Sequence, residues 1–135
     1  MAAEPPRWPF TSRSFTPGDR TRVARLWETC GLTRPWNDPY RDIDRKLDRD
    51  AELLLVGEAP ASEAADGTTT TGRVVATVMA GYDGHRGWIN YLAVDPDHRG
   101  EGHGRTMMEA AETRLLALGC PKVNLQVRTD NPDAV

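Results

Sequence analysis

The chain has no excess of positive charge, no apolar run long enough to cross a bilayer and only two cysteines, and each shortage removes a class of function. Its 135 residues hold 17 Lys and Arg against 20 Asp and Glu, a formal net charge of -3. Broad binding to nucleic acid needs a basic face that displaces phosphate counterions, so no nucleic-acid partner is expected, although a small basic pocket is compatible with the total. The opening MAAEPPRWPF lacks the apolar core of a signal peptide. With no membrane-length segment either, no membrane partner is expected and the cytoplasm is the expected location. Cys30 and Cys120 show neither CxxC nor metal-ligand spacing, which reads as two reduced thiols. The three histidines form no HxxxH-type pair, so no metal is expected.

What the sequence does contain is a set of clear starts and stops. The length suits one domain with a real core. FTSRSF is a short strand candidate. In TPGD, Thr16 is an N-cap, Pro17 fits the first helical turn and Asp19 completes capping-box spacing. Val23, Leu26, Trp27 and Cys30 then share one helical face, and Gly31 is a stop. A second helix starts at Asp38 and Pro39. Tyr40, Ile43 and Leu47 share its face, and Asp42 can reach Lys46 one turn on. On the connector between these helices, Trp36 either packs over the helix ends, the favoured reading, or lines a binding loop.

ELLLVGEA and RVVATVMAGY read as strands, with PASEAADGTTTTG a long flexible hairpin loop between them. YDGHRG is turn chemistry before a further strand, WINYLAV. A helix from about Gly104 to Leu118 places Met108, Ala111, Leu115 and Leu118 on one face. KVNLQVR then alternates as a half-buried strand. The order β-α-α-β-β-β-α-β predicts a layered α/β domain.

Between WINYLAV and the last helix lies HRGEGHG, with glycines at 100, 102 and 104. A strand feeding a helix through glycines offers backbone amides and the positive helix end to an anion. Arg99, His103 and Arg105 add donors or local positive charge. The dinucleotide fingerprint fails, because its third glycine position is Arg105, and a P-loop fails for want of a lysine. A glycine-rich turn that only lets the helix pack tightly is the competing structural reading.

The longer phrase YLAVDPDHRGEGHGRTMMEAAE resembles the signature segment of the GNAT N-acetyltransferase superfamily. Leu92, Val94 and Pro96 match its strand phrase, and Arg99, Gly102 and Gly104 match its loop. RPWNDP and GYDGHRG resemble stretches of a bacterial branch called YpeA-like. The resemblance covers residues 8–135, taken as one domain after a disordered 1–7. It implies the acyl-CoA acyltransferase fold, a mixed and mostly antiparallel sheet with helices on both faces, and acetyl-coenzyme A as co-substrate. By the same resemblance, the amides of Gly100, Gly102, His103 and Gly104 hold the pyrophosphate, Arg99 shapes the loop, and Asn131 belongs to the cofactor side. Leu92, Ala93 and Val94 supply backbone groups to the pantetheine arm, as an added strand would. A bulge there aims an amide at the thioester oxygen.

The strand positions that hold a base in several relatives are Asn90 and Trp88, neither of which can accept a proton. The catalytic candidates are therefore Asp83 and His85 in the preceding turn, with Tyr91 the other titratable group nearby; a structural turn role competes for both turn residues. Trp36 and Asn37 are the acceptor-pocket candidates. The acceptor is a small-molecule amine or a protein N-terminus or lysine.

The family pattern continues as Asn-x-x-Ala opening a further helix, whose tyrosine protonates the departing thiolate. Asn131 and Ala134 stand in that register and the sequence stops at Val135. The expectation is a C-terminally incomplete domain, weakly active or inactive. A coenzyme A-binding module is the alternative, and KVNLQVR is an open edge suited to a homodimer.

Overall fold

Capping chemistry sets the first helices. The Asp19 carboxylate accepts from the Thr16 amide (2.8 Å) and the Thr16 hydroxyl (3.1 Å), so the capping-box residues act together. They do so at a short 3-10 turn, Pro17–Asp19, and the regular helix α1 follows at Arg20–Thr29. Gly31, with φ of 70°, ends it in the left-handed conformation that favours glycine. Asp38 accepts from the Tyr40 amide (2.9 Å) and opens α2, Pro39–Asp50. In this computed structural model the described residues are 11–59, 62–63, 69–70, 73–121 and 123–125. Residues 1–7, Asn131 and Ala134 lie outside them.

The main sheet contains β1 (Thr11–Ser14), β2 (Leu54–Ala59), β5 (Arg73–Tyr82), β6 (Gly87–Val94) and β7 (Val123–Leu125), in that spatial order. The first four pair antiparallel, and β7 joins β6 in parallel through Gly87, Trp88 and Ile89. Between β2 and β5, a separate two-stranded pair forms from β3 (Ser62–Glu63) and β4 (Thr69–Thr70). The expected flexible loop therefore contains a small hairpin: the threonine run supplies β-branched residues that suit a strand.

Strand alternation divides the core. Leu54 and Val56 of β2 pack with Val23, Leu26 and Trp27 of α1 and Ile43 of α2 on one face. Leu53, Leu55, Val78 and Ile89 pack on the other with Met107, Ala111 and Leu115 of α3, His103–Ala117. Helices thus cover both faces of a mostly antiparallel sheet, as expected. The buried stripe of α3 is rotated from the expected one. Met107 replaces Met108 as the buried residue, and Leu118 lies beyond the helix end and is 48 % exposed. Two adjacent methionines satisfy the same periodicity, and contact with the sheet selects Met107. Among the described residues, no helix is long and apolar enough to cross a membrane.

Candidate active site

The site begins with an irregularity in β6. On β5, Val78 alone separates Thr77 from Met79, whereas on β6 both Tyr91 and Leu92 separate their partners Ala93 and Asn90. The extra residue makes a β-bulge on β6. Tyr91 absorbs it with φ of 50°, the one positive value at a non-glycine among the described residues. A left-handed conformation costs a side-chain-bearing residue about 1 to 2 kcal/mol, so the neighbours must hold it.

They do so from α1 and β5. The Tyr91 ring stacks on Trp27, with centroids 3.8 Å apart and planes 12° from parallel. The buried Thr77 hydroxyl donates to the Tyr91 carbonyl (2.8 Å) and accepts from Trp27 Nε1 (2.8 Å). The Tyr91 hydroxyl donates to Asp42 Oδ2 on α2. Burial, then the hydrogen bond and charge of Asp42, push the phenol well up, so Tyr91 stays protonated at neutral pH. Asp42 does not make the expected pair with Lys46. Lys46 instead binds Asp50 (2.8 Å) and the Ala80 carbonyl, because its stem lies against the sheet while Asp42 faces Tyr91.

Past β6, a short 3-10 turn, Pro96–His98, leads into the glycine loop. Gly100 and Gly102 both have φ of 82°, and a β-carbon built on either would meet no atom within 4 Å. These glycines are required by backbone conformation and leave open space beside it, which fits the approach of a phosphate group. A β-carbon at Gly104 would only touch Val94 Cγ2 at 3.8 Å, so neither conformation nor crowding demands glycine there. Gly102 is the N-cap of α3, and the first turn of a helix presents its amides outward. The loop thus has the geometry of an anion cradle.

Side chains fasten this loop to the sheet. Arg99 Nε donates to the Val94 carbonyl (3.2 Å), and its Nη2 lies 3.6 Å from Cys30 Sγ. The Cys30 thiol donates to the same carbonyl (3.3 Å), and burial first of all raises its pKa. The carbonyl of Val94 is therefore occupied within the chain. Asp95 Oδ1 accepts from the Asp97 amide (2.9 Å), and Oδ2 from Arg22 Nη2 (2.6 Å). Burial works to raise the Asp95 carboxyl, but the Asp97 amide and Arg22 outweigh it and hold it below the ordinary value. Glu101 lies between His98 (3.7 Å) and His103 (2.7 Å). The turn thus gathers three groups with ligand atoms within 4.8 Å, a grouping that histidine spacing alone does not reveal.

The turn candidates for catalysis sit elsewhere. Asp83 Oδ1 accepts from the amides of His85 (2.8 Å) and Arg86 (2.7 Å), and Oδ2 from Trp88 Nε1 (3.2 Å). The Arg86 amide, then the His85 amide, hold its carboxyl at about 2, too low for an effective base at neutral pH. Strand rise puts the start of β6 about 16 Å from the bulge, and the exposed His85 lies beyond that start. Asp83 thus ties the hairpin together, with His85 exposed on the same turn. Trp36 is 76 % exposed, so it does not pack over the helix ends; it sits with Asn37 on a tight turn closed by the Asn37 amide to the Arg34 carbonyl (2.9 Å).

Asp42, Thr77 and Asp95 have no part in the sequence reading of the site. Signals existed for two of them: Thr77 interrupts the apolar strand RVVATVMAGY, and Asp42 directly precedes the buried Ile43.

The pattern of the Acetyltransferase (GNAT) family matches residues 21–135. An acetyltransferase of Yersinia pestis (strain Pestoides F) is 49% identical over 123 residues, 91% of this chain and 79% of that protein. One of Sodalis glossinidius (strain morsitans) is likewise 49% identical, over 91% of this chain and 78% of that protein. Among solved structures, Ard1 from Thermoplasma volcanium is similar with a TM-score of 0.70 at 27% identity, covering 92% of this chain and 75% of that one. The NatC complex bound to Gag peptide and CoA gives a TM-score of 0.73 at 18% identity, over 93% of this chain and 78% of that one, a likeness of fold. With a strand bulge running into a glycine cradle at the head of a helix, the chain belongs to the GNAT acetyltransferase family, acyltransferases that use acetyl-coenzyme A as co-substrate.

Proposed function

We propose that this chain, as a single domain over residues 8–135, transfers the acetyl group of acetyl-coenzyme A directly to a primary amine while both substrates are bound. The amine belongs to a small molecule or to a protein N-terminus or lysine. The observation that supports this most is the bulge at Tyr91 and Leu92, on the strand that leads through a short turn into the Gly100–Gly102 loop. The loop amides of Gly100, Gly102, His103 and Gly104 hold the pyrophosphate. Backbone groups of Leu92 and Ala93, with the Val94 amide, align the pantetheine arm. An amide freed by the bulge donates to the thioester oxygen as charge develops there. Holding both reactants in line supplies much of the rate without a large set of reactive side chains. The exposed turn with Trp36 and Asn37 borders the acceptor side. Incubating the protein with acetyl-coenzyme A and a panel of primary amines, with coenzyme A thiol and acetylated amine both quantified, tests the reading. Equimolar thiol and amide support it; thiol without amide indicates hydrolysis and contradicts it.

A further inference from the structure

Asp42 and Tyr91 come from elements 49 positions apart in sequence and meet beside the bulge. We propose that the Tyr91 hydroxyl and the Asp42 carboxylate form the acceptor subsite, which takes a primary ammonium and removes its first proton. This rests on the amine-transfer reading above and names the group that serves it.

The remaining contacts of Asp42 point the same way. Its Oδ2 accepts from Tyr91, while Oδ1 faces Arg45 Nη1 at 3.3 Å. Arg45 is largely exposed and three residues along the same helix, a pairing that water screens and an incoming cation can displace. Lys46, the neighbour that could have neutralised Asp42, is committed to Asp50 and the Ala80 carbonyl. Arg20 is likewise engaged, with Asp44 and over the Tyr40 ring. A carboxylate 21% exposed, whose ion pair among the described residues is with the exposed Arg45, suits a ligand that brings its own positive charge and N–H donors. Trp27 and Thr77 hold the Tyr91 ring and backbone in place, so the hydroxyl is already oriented.

The proton balance is simple. An ammonium N–H is given to Tyr91 Oη as Tyr91 passes its own proton to Asp42. The freed nitrogen lone pair attacks the thioester carbon; the C–N bond forms and the C–S bond breaks, its electron pair leaving on sulfur. The second nitrogen proton ends on that sulfur, giving amide and thiol, and Asp42 returns its proton to water.

The test compares wild type, Asp42→Asn and Tyr91→Phe for release of coenzyme A thiol above background, with n-butylamine and with hydroxylamine as probes. Hydroxylamine is uncharged at neutral pH and needs no proton removed before attack. Both variants are expected to lose about 100-fold in the butylamine-dependent rate, to keep the hydroxylamine-dependent rate and to bind acetyl-coenzyme A with unchanged Kd. Variants that retain the butylamine rate, or lose both probes equally, overturn the proposal. Loss of acetyl-coenzyme A binding in both variants also overturns it, by making the pair structural. No release by wild type with either probe instead refutes the amine-transfer reading itself.

Discussion

Replacing Thr77 by valine removes one hydroxyl from a buried site and leaves the side-chain shape nearly unchanged. That hydroxyl accepts from Trp27 Nε1 and donates to the Tyr91 carbonyl, each at 2.8 Å. Trp27 and Thr77 are fully buried, so water cannot take over the indole N–H. An orphaned buried donor costs about 1 to 3 kcal/mol and the second hydrogen bond about 1 kcal/mol, a total loss of about 2 to 4 kcal/mol. For a domain of this length, that lowers Tm by about 7 to 14 °C. Thr77→Ser keeps both hydrogen bonds and loses only a methyl group, so it should cost about 1 kcal/mol. Urea and thermal unfolding of the three proteins give the comparison, and acetyl-coenzyme A titration reads the bulge itself, with Kd rising in Thr77→Val more than in Thr77→Ser. A Thr77→Val protein as stable as Thr77→Ser would refute the claim that this hydroxyl supports the Tyr91 conformation.

Other consequences are as direct. Gly87→Ala places a β-carbon 2.8 Å from Cys120 Sγ and 2.9 Å from Leu115 Cδ1; unfolding should show a loss of about 1 to 3 kcal/mol, part of it recovered in a Gly87→Ala, Cys120→Ala double variant. Trp36→Ala removes an exposed ring, so stability should stay within about 0.5 kcal/mol while KM for the amine rises. Asp19 and Asp95 titrate below the ordinary carboxylate value of 3.8: burial opposes the shift, and Arg13 with Thr16 at Asp19, and the Asp97 amide with Arg22 at Asp95, outweigh it. The unfolded state therefore binds more protons as pH falls below 3.8, and stability present above that pH is lost there. Urea midpoints measured down the pH scale should fall in that window, and less steeply for Asp95→Asn.

Local signals carried the reading furthest. Thr16, Asp19, Asp38 and the glycines at 31, 100 and 102 act through their own backbone or a few neighbours, so their roles are visible in a short string. The family phrase around Arg99 added the expectation of a strand distortion before the loop, and β6 has a bulge there. Contacts made by topology were not visible. Asp42 meets Tyr91 only because the fold brings together two side chains 49 positions apart, and helical spacing points to Lys46 instead. Asp83 looked available because it precedes the strand, yet its hairpin consumes its oxygens. The Met107 and Met108 pair satisfies helical periodicity in two rotations, and only the sheet chooses between them.

The most direct test of the account is calorimetric titration of acetyl-coenzyme A into wild type and Gly102→Val. Gly102 holds φ of 82° at the head of α3, a conformation that costs a β-branched residue more than about 1 to 2 kcal/mol. Forcing it away should misalign the amides. The account predicts saturable one-to-one binding by wild type and loss of about tenfold or more in affinity in the variant, equivalent to about 1.4 kcal/mol. A folded wild type that does not bind, or a variant that binds equally well, would contradict it.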